Sequence, residues 1–386
     1  MKTVNQTLRV TLCTLFLLAA AQVGAVESSL SASEGLEVQI ADDVRLRISG
    51  RLQTDAVRFD DDVTPLDDDE DFRRARIGAR LNWADWRAVA AYDFGVSDGW
   101  KNLYLQYAGW KKQRITLGNQ VAAFSMEDLS SSKNLPLLER SVASALAPGL
   151  LQGLSYRTWR DRWSLRAGVY GNELSNLDRR KMDGTSVMSR FTFAPVSSEQ
   201  TSVHFGVSGE YRWLDDQAVR LRARPGTRLT NTRLVDTRDF DDADTATTAG
   251  LEFALAHRNL RLQSEAMFSG LDRDTGDLDF NAQYLTLSML LGGENYSYRP
   301  SSGTFRTVEP GGKWGTLELA ARVGHLDLSD GDVEGGKQIE YTFGLGWTIT
   351  EQIKVMVNYT DIDADPNRNG IDEDVSLYSV RFQYSM

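Results

Sequence analysis

From residue 44 to the last residue, the chain repeatedly alternates apolar and polar side chains one by one. Ile339, Tyr341, Phe343, Leu345, Trp347 and Ile349 are interleaved with Glu340, Thr342, Gly344, Gly346 and Thr348. Val203, Phe205, Val207, Tyr211 and Trp213 alternate with His204, Ser208, Glu210 and Arg212. The chain closes with Tyr378, Val380, Phe382, Tyr384 and Met386 against Arg381, Gln383 and Ser385. A period of two belongs to an extended backbone whose successive side chains leave opposite faces. Such segments fall near 44–59, 72–83, 86–94, 101–110, 113–118, 151–159, 163–170 and 186–194. They continue near 202–213, 248–257, 260–268, 280–291, 314–324, 338–349, 352–360 and 375–386.

That is an even number of strands, as a single-chain bacterial membrane barrel requires. Short connections (Ala84-Asp85, Lys111-Lys112, His257-Arg258-Asn259, Glu351) mostly alternate with long polar ones, the layout of short turns at one rim and long loops at the other. Trp83, Trp86, Trp110, Trp159, Trp163, Trp213 and Trp314 stand near strand ends, where interfacial girdles sit. A soluble sandwich or propeller shares the alternation, but it carries turn signals about every 8–12 residues, and no blade-like repeat is visible. The expected class is all-β: a transmembrane antiparallel barrel of sixteen strands occupying 44–386.

The N-terminus gives the compartment. MKTVNQTLR is short and positive, and VTLCTLFLLAAAQVGA is apolar and ends in small residues, with Val23 and Ala25 marking a cut before Val26. This reads as a secretory signal peptide over 1–25, followed by a short mature segment, 26–43. The single cysteine, Cys13, lies inside it, so disulfides do not hold the mature chain together. Losing Lys2 and Arg9 takes the formal charge from -11 to about -13.

Against that acidity, DFRRARIGARLNW (Asp71 to Trp83) builds a cationic face. Arg74, Arg76, Arg80 and Asn82 alternate with Ala75, Ile77, Ala79, Leu81 and Trp83. Arginine facing lipid at mid-membrane costs about 2–4 kcal/mol, so these arginines are expected to face a water-filled lumen. Arg45, Arg47 and Arg51 repeat the design opposite Val44, Leu46, Ile48 and Leu52. Strict alternation sends Arg73 to the lipid face, unless Phe72-Arg73 is a bulge or lies beyond the membrane. A second basic series, AVRLRARPGTRL, puts Arg220, Arg222 and Arg224 on one side of an extended segment. It breaks the strand parity and is expected in a long loop between the ninth and tenth strands.

Taken together, FRRARIGARL at 72–81, KNLYLQYAGW at 101–110 and GNQVAAFSMEDLSSSKNLPLLERS at 118–141 resemble the phosphate-selective porin family of Gram-negative outer membranes, the O/P type. RLRARPGTRLTNTRLVDT at 220–237 and PGGKWGTLELAARVGHLDL at 310–328 match the same pattern. The resemblance implies a homotrimeric barrel with an inward-folded third loop, passing phosphate, polyphosphate or other small anions passively. It places the central anion site on Arg73, Arg74 and Lys133, beside Arg76 of the lumen face, and an entry ladder on Arg220, Arg222 and Arg224. The connection at 292–313, on the short-turn side, resembles a periplasmic turn folded into the pore. Gly226 after Pro225, and the terminal Met386, depart from the family pattern. No cofactor and no nucleic-acid partner is implied.

The chemistry suits these residues: guanidinium forks hold oxyanions bidentately at any biological pH, and rings of arginine or lysine select anions in pores. Other readings compete. Asp93, Glu210, Glu252, Glu265 and Glu318 fall on polar faces and would neutralise arginines in a general, non-specific porin. A barrel hydrolase would need a serine–histidine pair, and only His204, His257 and His325 exist, none in a recognisable motif. A plugged, non-conducting barrel is a third class. The acidic runs at 60–72 and 238–247 read as solvated loop faces or as sites for divalent cations bridging lipopolysaccharide. DPNRNGIDEDVS resembles a calcium loop through Asp365, Asn367 and Asn369, but Ser376 stands where a bidentate Glu belongs, and a turn between the last two strands is the plainer reading.

Overall fold

The computed structural model describes residues 27–31, 35–175, 180–215 and 218–386. The expected signal peptide lies outside the described residues. Sixteen strands form the wall. They begin with β1 (Val44–Asp61), β2 (Asp69–Trp83), β3 (Trp86–Asp93), β4 (Gly99–Tyr107), β5 (Gln113–Val121) and β6 (Leu150–Trp159). β7 (Trp163–Tyr170), β8 (Gly184–Ser197), β9 (Thr201–Leu214), β10 (Ala243–His257) and β11 (Leu260–Arg273) follow. β12 (Leu278–Leu290), β13 (Thr316–Asp330), β14 (Val333–Thr348), β15 (Ile353–Ala364) and β16 (Glu373–Ser385) complete the set. Each strand pairs antiparallel with the next, and β16 returns to β1 in a register that sets Tyr384 opposite Leu52. Closure leaves no barrel strand with an unpaired edge, the condition for a sheet in hydrocarbon. At the short-turn rim, Gly35–Ala41 pairs with the stretch of β1 that runs past the end of β16, with Leu36 opposite Ile48, and Glu27–Ser31 pairs with that segment in turn.

The wall is inside out relative to a soluble protein. Gln53, His204, Thr248 and Gln338 are fully buried, whereas Ile77 is 60% exposed, Leu117 59% and Phe343 57%. The apolar parity therefore faces lipid and the polar parity faces the interior, as the alternation predicts. Aromatic rings mark the short-turn rim: Trp83 stacks on Trp86 at 6.5 Å, and Tyr107 meets Trp86 and Trp110 at 5.0 Å each.

Toward the long-loop rim the strands outrun the alternation. β8 covers 184–197 and β14 starts at Val333, beyond the expected 186–194 and 338–349. The reason is a reversal of faces. In β12, Leu285 and Leu287 point outward, but Leu278, Phe280, Ala282 and Tyr284 are buried inward while Asp279 and Gln283 are exposed. There the polar parity is outside and the inward apolar patch receives loops.

The third loop, 122–149, folds inward as expected. Its Phe124, Val142 and Leu146 pack on Tyr170, Met188, Met267, Phe280 and Leu326 of the wall; burial contributes about 1.5–3 kcal/mol for each large apolar side chain. Polar groups of the far wall then fix it. Glu265 accepts the backbone N–H groups of Met126 and Glu127 at 2.9 and 2.7 Å. Arg381 donates to the Leu138 carbonyl at 2.5 Å, Lys354 to that of Leu135 at 3.1 Å, and Arg322 to that of Glu139 at 3.0 Å. The connection at 291–315 also turns inward. Tyr296, Tyr298 and Phe305 are buried, and Arg190 donates to the carbonyls of Ser302 and Gly303, each at 2.9 Å. Both insertions fill the side lined by β8–β16 and leave open space along β1–β5.

Candidate functional site

Register places the FRR motif. Gln53 of β1 faces Arg74 and the next residue, Thr54, faces Phe72, so Arg73 is an extra residue in β2. This β-bulge keeps Phe72 outward, 49% exposed, and turns both Arg73 and Arg74 into the lumen, at 2% and 6%. Of the alternatives left open for Arg73, the bulge is the one realised.

The two arginines have different surroundings. Arg73 grips both oxygens of Glu139 at 2.5 and 2.9 Å and reaches Ser97 at 3.2 Å. Arg381 shares Glu139 at 2.8 Å and holds both oxygens of Asp55 at 2.6 Å. Two guanidiniums and two carboxylates thus cancel in a clamp on the third loop. Burial would raise the Glu139 carboxyl, but Arg73 and Arg381 outweigh it and hold it well below the usual carboxylate range. Arg74 donates instead to the amide oxygen of Gln53 at 2.5 Å, which satisfies an N–H without cancelling charge. Arg76 pairs with Asp93 at 3.0 Å.

Lys133 lies in a short 3₁₀ turn of the third loop, Ser132–Asn134. It lines one cavity of about 680 Å³ together with Arg73, Arg74 and Arg76. The structure therefore brings the four motif residues to one space. That cavity is lined by twelve lysine and arginine side chains against one acidic side chain, Asp128, itself 3.1 Å from Arg140. A low-dielectric wall focuses such a field and concentrates counter-ions in the cleft.

Arg51, expected on the lumen face, is joined there by several cations that were not singled out from the sequence. Arg51 donates to Ser132 and Ser131 of the third loop at 2.7 and 3.1 Å. Arg299 and Arg306 come from the inward 291–315 connection. Lys101 is the most telling. By parity with Leu103 and Leu105 it belongs outside. A register shift between Ala90 and Tyr92 of β3, however, sets both Lys101 and Asn102 against the single residue Ala91. Both then line the cavity, and the Lys101 ammonium, in a residue 4% exposed, has no hydrogen-bond partner. Farther along the same wall, Arg114 and Arg157 flank the Trp159 ring at 5.1 and 5.0 Å, and Arg166 donates to Gln120 at 2.6 Å.

The expected ladder lies between β9 and β10, where Arg220–Ala223 is extended. Leu221 and Ala223 are buried while Arg220 and Arg222 lie on the opposite side, as the spacing predicts. Arg220 is committed: it grips Asp236 at 2.7 and 2.6 Å and reaches Asp239 at 3.3 Å. Arg224 donates to the Thr230 carbonyl at 2.7 Å and to Asn231 at 3.1 Å.

The lumen carboxylates of the far wall are engaged locally. Glu252 pairs with Arg190 at 2.6 Å, Glu210 with Arg212 at 3.0 Å, and Glu318 with Arg261 and Lys354 at 3.4 and 3.3 Å. His204 is fixed between Glu252 at 3.0 Å and Tyr298 at 2.6 Å, tying the wall to the 291–315 insertion. His257 contacts Thr201 at 2.9 Å. In the last loop, Asn367 accepts from the backbone of Asn369 at 2.8 Å and donates to Glu373 at 2.6 Å, and Asn369 accepts from Arg238 at 3.2 Å. Asn367 and Asn369 thus serve the turn; among the described residues no group of three or more acidic, histidine or cysteine side chains is placed to hold a metal.

The model of a family described as phosphate-selective porin O and P matches residues 46–386. Porin O of Pseudomonas aeruginosa is 28% identical over 402 aligned residues, covering 91% of this chain and 90% of that protein. Among solved structures, the trimer form of the outer-membrane protein OmpT of Vibrio cholerae superposes with a TM-score of 0.58 at 11% identity, over 89% of this chain and all of that one. An anion-selective porin of Comamonas acidovorans gives 0.53 at 12% identity, with the same coverage. These two share the fold.

Proposed function

Because the chain belongs to the phosphate-selective porin O and P family, an outer-membrane porin family, we propose that it passes inorganic phosphate and related small oxyanions passively, through the cavity along β1–β5. The observation that carries the reading is the charge of that cavity, twelve cations to one acidic side chain, in a chain whose net charge is -11. An ion is drawn in past Arg222 and Arg224 and meets Arg74, Lys101 and Lys133 at the narrow level set by the third loop. It leaves along Arg114, Arg157 and Arg166. Guanidinium and ammonium donors replace the ion's water shell, and several partial sites in series let it leave as readily as it enters. No bond is made or broken, so the reading is a channel and not an enzyme. Arg73 holds the third loop rather than the ion. Trimeric assembly is part of the proposal, supported by the fold shared with a structure described as a trimer.

The test is a planar bilayer. Purified protein under a chloride gradient should give an anion-selective reversal potential, and added phosphate should block chloride current at low concentration. Cation selectivity, or indifference to phosphate, would sink the proposal.

A further inference from the structure

One tryptophan of the expected girdle faces inward. Trp83 and Trp86 stack on each other, Trp163 stacks on Phe191 at 6.3 Å, and Trp213 is 49% exposed, all on the outer face of the wall. Trp159, the last residue of β6, stands opposite Ser164. The Ser164 hydroxyl is buried and hydrogen-bonded with that of Thr192 at 2.7 Å. Directly opposed residues of an antiparallel pair share a face, so the Trp159 ring lies on the lumen side, half-buried, beside the short-turn rim. Anchoring in the lipid interface does not explain an indole there.

Its neighbours supply an independent sign. Arg114 of β5 stands directly opposite Arg157 of β6, Arg157 opposite Arg166 of β7, and Arg166 opposite Arg190 of β8. Like charges directly opposite one another destabilise a sheet. Arg190 is offset by Glu252 at 2.6 Å. The other three rest on neutral groups. Arg114 donates to the carbonyls of Trp110 and Gln113 at 3.1 and 2.5 Å, and Arg166 to the Gln120 amide at 2.6 Å. Arg157 lies over the Trp159 ring, 5.0 Å from its centre, and Arg114 approaches the same ring at 5.1 Å. Tyr104 of β4, opposite Val89 of the main cavity's lining, adds a second ring to this face. A row of cations that costs stability thus adjoins an indole that anchors nothing in lipid.

We propose that Arg114, Arg157 and Trp159 form a subsite at the short-turn mouth for oxyanions carried on an aromatic ring, aryl phosphates foremost. The guanidiniums take the oxyanion and the indole takes the ring. An inorganic ion needs only the guanidiniums; the indole adds a flat face that attracts another aromatic ring. A guanidinium held against a ring keeps its charge and its N–H edge for the oxyanion. The inference rests on the passage reading and deepens it, by naming a second class of anion that the same lumen takes.

The experiment compares block of chloride current in planar bilayers by inorganic phosphate, phenyl phosphate and cyclohexyl phosphate, each added to both sides at about pH 8, where both esters are dianions. The two esters differ little in size, and only phenyl has a π-face. Cyclohexyl is the more apolar, so hydrophobic contact alone predicts the reverse order. Phenyl phosphate is expected to block at a concentration about threefold to tenfold below that of cyclohexyl phosphate. Trp159→Leu should abolish that preference and Trp159→Phe should keep most of it, whereas Arg157→Gln should weaken block by both esters several-fold. Equal block by the two esters in the native protein, or an undiminished preference in Trp159→Leu, overturns the subsite and leaves the passage reading standing. Absence of block by inorganic phosphate in the native protein sinks the passage reading, and the subsite with it.

Discussion

The two halves of the barrel interior carry similar residues and use them differently. Along β8–β16, three inward carboxylates meet cationic partners: Glu252 with Arg190, Glu210 with Arg212, Glu318 with Arg261 and Lys354. That half is also filled, by the third loop and the 291–315 insertion. Along β1–β5, Arg51, Arg74 and Lys101 face hydroxyls, an amide or open space. The difference shows that cations alone do not make an anion path. Charges that are paired and packed hold the plug in place, and only those left uncancelled beside the open space act on an ion. The chain's excess acid sits elsewhere, in exposed residues at and beyond the end of β1 such as Asp60, Asp62, Asp67 and Asp68.

Breaking the filled half should have the largest effect. Arg381→Ala leaves Asp55 buried with no guanidinium, unfastens the Leu138 carbonyl and removes one of the two guanidiniums on the Glu139 carboxylate. Removing one partner of a buried pair costs about 3–5 kcal/mol. A clear fall in the unfolding temperature is expected, with larger and noisier single-channel conductance; unchanged values on both counts would remove the clamp from the account. The same clamp sets an acid limit. Glu139 is held below its usual 4.5, so its contribution is fully present above that pH and is lost as pH falls through its lower folded value. Channel noise should therefore rise on strong acidification and not between pH 6 and 8.

On the open half, Arg74→Ala is expected to raise the phosphate concentration for half-block by at least tenfold, since a hydrogen bond to a charged group contributes about 1.5–3 kcal/mol. Arg80→Ala should shift it much less, and equal shifts would dissolve the site assignment.

Lys101→Met sharpens the comparison further. It should weaken phosphate block several-fold yet leave the unfolding temperature unchanged or higher, because a buried ammonium without a partner stabilises nothing. A lower unfolding temperature would mean that Lys101 is a structural cation like those opposite. The smallest effect is expected from Glu210→Gln, whose loss Arg212 meets on the filled side: reversal potentials should move by no more than the scatter between bilayers.

Much of this protein was written in the period of its sequence. Alternation alone determined sixteen strands and which parity meets lipid, because a pleated strand has two faces and hydrocarbon accepts only one kind of side chain. It also placed Arg74 and Arg76 in the lumen and the Arg220 series in a loop. What alternation cannot encode is where the count of residues slips. One extra residue in β2 brings Arg73 inward beside Arg74, and another in β4 brings Lys101 in beside Asn102. Each bulge is a property of two paired strands together. The same holds for the far wall: that Glu139 lies between Arg73 and Arg381, far from either in sequence, follows from loop packing on an apolar patch that appears only where the faces of β12 reverse. Local periodicity fixed the wall, since each strand answers to the solvent it faces; the tertiary structure decided which charges cancel, since a charge answers to whatever lies within a few ångströms of it, however distant along the chain.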